Sequence, residues 1–438
     1  MKRLLLVLLF LGAIPIASSQ EEYFTLEPFE EETMLPDLAI EEETVLPDLA
    51  IEEEVEEEIL GTPVQRLAYS ISEFGYDLYR LVANLDPRAN VFLSPLSVAS
   101  SLSALSLGDL STMKDLLQRT LNYGSLQDLD VHPVFKELLA ETSAQPKQFR
   151  TVARIYGKEK LRMRANFINQ VSQFYGSRPK ALTGNGAVDI RSINQWVRTQ
   201  TDRHISQAIS SIPHDLSLLL LSAAHFNGKL VTSFRSDNTH LQTFRTGFLQ
   251  EVAIPMMTSP HYPMRYGFDS ELGCKIGLLP YQGDVSLLVF LPSGPMYNMT
   301  GIEDSLTPVF VHDLVSQLQS VWASVSLPRL NINTKLELKN VLADMNLSPL
   351  YTSSVLKKLS LTPVSISSIT HTASLSLDEK GVQDADLSNP TGPQLNLEFH
   401  INQPFILVVY DNASGSLLHI GRVIDPRNLV TSQHGGPA

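Results

Sequence analysis

The sequence predicts an α+β protein in which helices come first and strands dominate the C-terminal half. The first folded segments show helical periodicity, whereas the later apolar segments are short, uninterrupted runs that are typical of buried strands. This order favours a large, mostly antiparallel sheet system. No change of composition after residue 61 marks a second domain. We therefore predict one folded domain over residues 61–430, followed by a C-terminal tail over residues 431–438.

The predicted elements follow from local patterns. A helix over residues 64–82 is indicated by apolar residues at helical spacing: Val64, Leu67, Ala68, Ile71, Phe74, Leu78 and Val82. A second helix begins at the N-cap Ser94, with Pro95 in its first position, and stops at Gly108. Buried strands are predicted at Leu218 to Ala224, Val285 to Leu291, Val321 to Leu327, Pro404 to Tyr410 and Leu417 to Ile424.

The first 19 residues have the pattern of an export signal. Lys2 and Arg3 precede an apolar run from Leu4 to Leu11, and small residues stand at positions 17–19, before Gln20. The run is too short to span a bilayer, which requires about 20 residues. We therefore expect a signal peptide over residues 1–19 and a secreted, extracellular protein without a transmembrane segment.

Residues 20–60 form an acidic segment. They contain fifteen Glu, two Asp and no Lys or Arg, which gives a charge of −17, whereas residues 61–438 carry +1. Within the segment, the eleven residues 30–40 are repeated as residues 41–51 with one substitution. Repulsion among the carboxylates predicts a disordered tail. A solvated spacer and a dedicated binding segment both remain open as its role.

Motifs for catalysis are missing from the sequence. It contains no G-x-S-x-G elbow, no phosphate-binding loop and no H-E-x-x-H pair among its eleven histidines. We expect no enzyme activity, no catalytic residues, no metal site and no cofactor, although a Ser-His-Asp triad assembled in space remains open. The single cysteine, Cys274, cannot form an internal disulfide.

The C-terminal sequence resembles the serpin family. The resemblance is carried by Phe399 to Val409, by Gly421-Arg422 and by Asp425-Pro426, and it continues at Asn90 to Val98 and at Ile193 to Val197. It covers about residues 64–427. The resemblance implies the serpin fold, with N-terminal helices, large mostly antiparallel sheets and an exposed reactive-type loop. Serpins carry a polar cluster beneath their sheet opening, and Ser94, Ser97 and His371 match it, so His371 is expected to be structural. Leu230 replaces a tryptophan that serpins normally have.

Within the family, several segments resemble a secreted member that does not inhibit proteases. They include Phe74 to Arg80, Lys160-Leu161-Arg162 and Arg265 to Ser270. The resemblance implies a monomeric extracellular signalling factor of the neurotrophic or antiangiogenic type. Its implied partners are glycosaminoglycan, collagen and cell-surface receptors. A serine-protease inhibitor is the first alternative, and a chaperone or hormone-carrier serpin is the second.

The predicted reactive-type loop argues against inhibition. Inhibitory serpins insert this loop into a sheet as a new central strand, and alternate side chains then face inward. Here that face would carry acidic residues, whose burial without partners costs several kcal/mol each. Prolines would also remove ladder hydrogen bonds. The loop residues concerned are Gly381, Val382, Asp384, Asp386, Ser388, Pro390, Pro393 and Leu395.

Four cations alternate with other residues over a short segment: Lys158, Lys160, Arg162 and Arg164. At strand-like spacing they point to one side. Such an array suits a sulfated polysaccharide bound in a salt-dependent way, and the resemblance implies heparin or heparan sulfate binding here. An ordinary solvated face is the alternative. Nucleic acid is a poor partner because interleaved aromatic residues are missing.

The remaining candidate sites follow from the resemblance and from sequons. Asp269, Glu271 and Asp313 match acidic positions that the resemblance links to collagen binding. Three Asn-x-Ser/Thr sequons predict glycosylation, at Asn298, Asn346 and Asn412. Asn298 follows a turn, Asn412 lies in a predicted hairpin turn, and Asn346 lies in an amphipathic stretch.

Overall fold

The computed structural model describes residues 61–108, 112–126, 129–247, 250–293, 299–352, 356–383, 394–427 and 429–433. The predicted signal peptide and acidic tail lie outside these residues. In the described part of the chain, no helix is both long enough and apolar enough to cross a membrane.

The described ranges contain nine α-helices. In chain order they are α1 (Pro63–Leu85), α2 (Pro95–Ser106), α3 (Thr112–Thr120), α4 (Val131–Thr142), α5 (Ala165–Tyr175), α6 (Gly186–Gln200), α7 (Met299–Ser305), α8 (Pro308–Gln317) and α9 (Lys339–Leu342). Short 3₁₀ segments occur at Tyr123–Leu126, Ser236–Asn238 and Ser348–Tyr351, and a kinked π segment occurs at Ala343–Leu347.

Strands make up most of the rest. They are β1 (Val91–Leu93), β2 (Phe149–Gly157), β3 (Lys180–Ala181), β4 (Leu218–Phe226), β5 (Leu230–Thr232), β6 (Thr239–Arg245), β7 (Glu251–Asp269), β8 (Cys274–Tyr281), β9 (Val285–Pro292), β10 (Gln319–Pro328), β11 (Leu330–Glu337), β12 (Ile366–Leu377), β13 (Gly381–Gln383), β14 (Gln394–His400), β15 (Phe405–Asp411), β16 (Ser416–Val423) and β17 (Val430–Gln433).

The two predicted helices are present, and their ends have definite causes. Helix α1 begins with a capping box, in which Thr62 Oγ1 accepts from the Gln65 amide (3.2 Å) and Gln65 Oε1 accepts from the Thr62 amide (3.0 Å). Ser94 is the N-cap residue of α2 and Pro95 follows in the first turn, as predicted, although the Ser94 side chain forms no cap hydrogen bond. Its amide instead donates to His371 Nε2.

The strands form two sheets. The larger has the order β1-β16-β15-β9-β8-β7-β10-β14, with β6 paired to β7, β5 to β8 and β13 to β5. The smaller has the order β17-β11-β12-β4-β2-β3. Ten of the fifteen strand pairings among described residues are antiparallel, so the predicted mostly antiparallel system is confirmed. Strand β17 extends three residues beyond the predicted domain end at residue 430.

Helix α2 lies between the two sheets. It contacts β16 of the larger sheet and β2 and β4 of the smaller one, and all its residues from Pro95 to Leu105 are buried. Most of its serines have partners for their hydroxyls, since Ser100 and Ser101 donate to carbonyl groups one turn earlier (both 2.8 Å) and Ser103 bonds Tyr123 (2.7 Å). Helix α6 covers the other face of the smaller sheet, where Ile193 and Val197 join a separate apolar cluster with Leu221.

A buried ion pair ties the larger sheet to the helices. Arg422 Nη1 on β16 lies 3.0 Å from Glu303 Oε1 on α7, and both side chains are only 4% exposed. Tyr79 donates to the same carboxylate (2.7 Å). The guanidinium also donates to the carbonyl groups of Ala83 and Asp86 at the C-terminus of α1, where a cation is favoured.

Removing one partner of this pair leaves a buried charge uncompensated. We expect Glu303→Ala to lower the free energy of unfolding by about 3–5 kcal/mol, measured by urea denaturation at pH 7. The control is Lys380→Ala, because the ion pair of Lys380 with Asp378 is 74% exposed on the lysine side; its expected effect is within about 1 kcal/mol. Equal effects of the two substitutions would contradict the role of the Arg422–Glu303 pair as a buried ion pair that stabilises the fold.

Candidate functional site

The first candidate site lies between strands β4 and β12. These strands pair directly and in parallel, from Ile366 opposite Leu218 to Leu375 opposite Phe226. The reactive-type loop follows β12. If it folded back and inserted between β12 and β4, it would run antiparallel to both strands. The direct pairing in the structure means that no strand occupies this position.

A histidine holds the two strands together. His371 on β12 is fully buried, and its Nε2 accepts the Ser94 amide (3.0 Å). The ring therefore carries its hydrogen on Nδ1, which donates to Ser222 Oγ on β4 (2.9 Å). The proposed polar cluster thus contains Ser94 and His371, whereas the hydroxyl of Ser97 forms no hydrogen bond within the described structure. Ser222 was not identified from the sequence.

Further histidines lie nearby, of which His225 and His419 are buried and His204 is exposed. The rings of His204 and His225 stack with centroids 3.8 Å apart, and His419 stacks on Phe92 at 4.8 Å. Burial lowers the pKa of His371 to about 3. Burial, and then repulsion from His204, lowers the pKa of His225 to about 3. Burial, followed by the nearby His371 and His225, lowers the pKa of His419 well below its usual value.

The start of the reactive-type loop is anchored. Gly381–Gln383 form β13, which pairs in parallel with β5, where Leu230 is fully buried. A Cβ on Gly381 would lie 2.4 Å from the Ser233 amide nitrogen, so this close approach requires glycine. Glu379 bonds Arg329 and Thr239 just before the hinge.

Only part of the remaining loop lies within the described residues. The side chain of Val382 is 50% exposed and is therefore not packed beneath a sheet. Asp384, Asp386, Ser388, Pro390 and Pro393 lie outside the described residues. Leu395 lies in β14, which pairs in parallel with β10 and anchors the far end of the loop.

The second candidate site is the cationic turn, residues 158–164. All four of its cations are exposed, while Leu161 is buried beneath them. The segment differs from the expected strand, because Lys160 has a φ of +59° and the Leu161 amide donates to Lys158 O (3.1 Å). The turn folds closely over the end of β2, since a Cβ on Gly157 would lie 2.5 Å from the Leu161 side chain.

Most of these cations are not engaged in ion pairs within the described structure. Lys160 pairs with Glu159 at 2.7 Å, and the other three form no salt bridge within the described part of the chain. Cations on β2 and just before it are instead engaged in internal contacts. Lys147 Nζ lies 2.6 Å from buried Asp411, Arg150 pairs with Asp202, and Arg154 stacks on Trp196 at 3.9 Å.

The predicted acidic set lies on two neighbouring elements. Asp269 ends β7 and its Oδ1 accepts the amides of Glu271 and Leu272, both at 2.9 Å. Asp313 is exposed on α8. Arg265 of β7 donates to the carbonyl group of Leu318, immediately after α8, so the two elements are bound to each other.

The sequons differ in their surroundings. Asn298 lies outside the described residues. Asn346 is exposed at a kink, with a φ of +66°. Asn412 is exposed in the turn between β15 and β16, and its Nδ2 donates to Asp284 Oδ1 (2.9 Å). A glycan on Asn412 would replace one of the two hydrogens of this Nδ2 and leave the other to donate.

Neither a metal centre nor a reactive thiol is evident in the described ranges. No group of three His, Cys, Asp or Glu residues there could hold a metal ion. Cys274 is fully buried, and burial raises the pKa of its thiol to about 12. A thiol with such a pKa is a poor nucleophile near neutral pH.

Comparisons with known proteins agree with this geometry. The family model described as serpin (serine protease inhibitor) matches residues 69–426. Human pigment epithelium-derived factor is 39% identical over 383 residues, covering 85% of this chain and 90% of that protein. It is the family member that the segments Phe74 to Arg80, Lys160 to Arg162 and Arg265 to Ser270 resemble. Bovine alpha-2-antiplasmin is 30% identical over 370 residues, covering 83% of this chain and 74% of that protein.

A solved structure supports the fold alone. The crystal structure of mouse protein-Z dependent protease inhibitor has a TM-score of 0.77 and 23% identity to this chain. The match covers 83% of this chain and 98% of that one. The predicted fold, with its helices and two large sheets, is confirmed.

The buried histidines predict a specific pH dependence of stability. Their native pKa values lie below the unfolded value of 6.5, so stability is complete above pH 6.5 and decreases as the unfolded chain takes up protons below it. Each such group contributes a slope of about 1.4 kcal/mol per pH unit. We expect His419→Phe to reduce the slope between pH 6.5 and 4.5 by about this amount in urea denaturation.

The control for this experiment is the exposed His240→Gln. It should leave the slope as it is in the original protein. If His419→Phe leaves the slope unchanged as well, His419 is not neutral in the native state.

Proposed function

This chain belongs to the serpin family, and we propose that it is a secreted, non-catalytic member that does not inhibit proteases. It acts as an extracellular signalling factor of the neurotrophic or antiangiogenic type. It binds glycosaminoglycan, collagen and cell-surface receptors. The observation that carries the proposal is the cationic turn, in which four exposed cations are held on one folded segment.

Binding of a sulfated polysaccharide is supported by the electrostatics of this turn. Lys158, Arg162 and Arg164 have no salt bridge among described residues that a ligand would have to displace. Because all are exposed, each contact with a sulfate contributes little alone, and several act together. The contribution of each contact falls with ionic strength.

The absence of inhibition is supported by the loop sequence and by the sheet. Insertion between β4 and β12 would separate strands that now pair directly and would break the bond of His371 to Ser222. The inserted segment would then bury carboxylates at Asp384 and Asp386, which costs several kcal/mol for each unpaired charge. Both changes oppose insertion.

Collagen binding and secretion rest on further features. Glu271 and Asp313 are exposed on neighbouring elements and are available to a basic partner surface. Secretion is supported by the charge and apolar pattern of residues 1–19. Glycosylation is consistent with the exposure of Asn346 and Asn412.

A protease inhibitor is the competing function, because relatives named alpha-2-antiplasmin and plasma protease C1 inhibitor match much of this chain. A panel of serine proteases separates the two functions. An inhibitor forms covalent complexes that survive denaturing gels, whereas the proposed factor is cleaved without forming them.

We expect cleavage between Val382 and Leu397 to leave the thermal unfolding midpoint nearly unchanged, because no strand is gained. Differential scanning calorimetry before and after limited proteolysis measures this. A comparison variant replaces Asp384, Asp386, Pro390 and Pro393 with Ala, which removes the obstacles in the loop sequence and should allow the midpoint to rise after cleavage. A large rise in the unmodified protein would contradict the absence of inhibition.

We expect replacement of Lys158, Lys160, Arg162 and Arg164 by Ala to lower the salt concentration at which the protein elutes from heparin. Single substitutions should have mild effects, since each exposed contact is worth only about 0.2–1 kcal/mol. Circular dichroism confirms that the variant is folded.

Two controls accompany this variant. Replacing four other exposed cations, Lys136, Arg191, Lys229 and Arg235, changes the net charge equally. Replacing Asp269, Glu271 and Asp313 should leave heparin retention unchanged or slightly increased. If the fourfold variant of the turn elutes with the unmodified protein, the cationic turn is not the site.

A further inference from the structure

A second cationic segment lies beside the cationic turn, although nearly 200 positions separate the two in sequence. We call residues 356–364 the lysine strap. Met163 of the turn forms an antiparallel bridge with Ser360 of the strap. The Arg164 amide donates to Leu359 O (2.8 Å), and Ser360 Oγ donates to Arg162 O (3.3 Å). The two segments are therefore bonded on both sides of the bridge.

The bridge brings the charges of both segments close together. The Arg164 amide bonds Leu359 O, and Lys357 and Lys358 directly precede Leu359 on the strap. The two lysines lie in a turn, in which the Leu359 amide donates to Leu356 O (3.1 Å). Lys357 and Lys358 are both exposed.

The backbone of the strap is fixed on its other side. The amides of Lys358 and Leu359 both donate to Gly108 O, at 2.8 and 3.1 Å. Leu356 and Leu359 are buried and anchor the segment to the core. The two lysines therefore extend from a backbone whose position is set before any ligand binds.

A cleft of about 310 Å³ lies where the two segments meet. Arg164 and Lys357 both line it, and none of its lining residues is acidic. Across residues 158–164 and 356–364 the only acidic residue is Glu159, which pairs with Lys160. Within the described chain, no salt bridge neutralises Arg162, Arg164, Lys357 or Lys358.

We propose that the lysine strap is the second half of the polysaccharide site. The cleft between Arg164 and Lys357 takes one sulfate group, Lys358 contacts the next, and a sulfated glycosaminoglycan crosses from the turn to the strap. This inference rests on the proposed glycosaminoglycan binding of the turn. It adds two ligand-contacting residues and two sulfate positions to that site.

An anionic membrane is the other surface that such a patch could meet. Leu361 is 78% exposed in the strap and could enter a bilayer. It is, however, the only exposed large apolar residue of the turn and the strap among those described. The six cations instead extend over two adjoining segments, which suits an elongated polyanion better than a single point of insertion.

The test compares Lys357→Ala/Lys358→Ala with Lys136→Ala/Lys229→Ala, which removes two exposed lysines elsewhere. Binding of fluorescein-labelled heparin is measured by anisotropy at two salt concentrations. We expect a loss of affinity of about three- to tenfold for the strap variant, with a weaker salt dependence. The control variant should keep nearly the affinity of the unmodified protein. Equal affinities of the two variants would overturn the inference.

The fourfold Ala variant of the cationic turn is measured in the same assay. It separates the proposal that the turn binds glycosaminoglycan from the proposal that the lysine strap contributes to that site. If the turn variant loses affinity while the strap variant does not, glycosaminoglycan binding stands and the strap is excluded. If neither variant loses affinity, both proposals fail.

Leu361→Ser and phosphatidylserine vesicles provide the membrane arm of the test. We expect the protein to bind vesicles weakly, both with and without Leu361→Ser. Two results together would show that the partner of this surface is a membrane and not a polysaccharide. They are strong vesicle binding that is lost in Leu361→Ser and unaltered heparin binding in the strap variant.

Discussion

The direct pairing of β4 with β12 is the interaction on which the other features of this fold depend. Helix α2 packs against β4, and its N-cap residue, Ser94, donates to His371, so the helix between the sheets and the closed sheet stabilise each other. The hinge leaves β12 after Leu377 and is immediately bonded to β5. Any process that opens the pair must therefore disturb the sheet, the buried helix and the hinge together.

The binding surface illustrates a different constraint, since it is assembled from segments that only the fold brings together. Gly157 allows the cationic turn to lie close over the end of β2, and the bridge from Met163 to Ser360 adds the lysine strap. Each segment alone is an ordinary solvated face. Together they carry six exposed cations and one acid, so the protein has a strongly charged surface although its folded part is nearly neutral.

Much of the fold could be predicted from the sequence, because helical periodicity over residues 64–82 and five apolar runs are local signals. The cations of the turn were also found, since they are adjacent in sequence. The lysine strap was not found, because its proximity to Arg164 depends on tertiary pairing. His225 and His419 were also missed. Each lies in an apolar strand where a histidine carries no pattern, and only burial and ring stacking reveal its environment.

Acid weakens the closed pair of β4 and β12 through its histidines. Protonating His371 would remove the acceptor for the Ser94 amide, and protonating His225 or His419 would place a charge in an apolar region. The unfolded chain binds protons on these histidines near pH 6.5, whereas the folded chain does so only at lower pH, so the closed sheet is most stable above pH 6.5. The pairing of β4 with β12 is thus linked to pH by residues that lie beneath it, without any contribution from the surface.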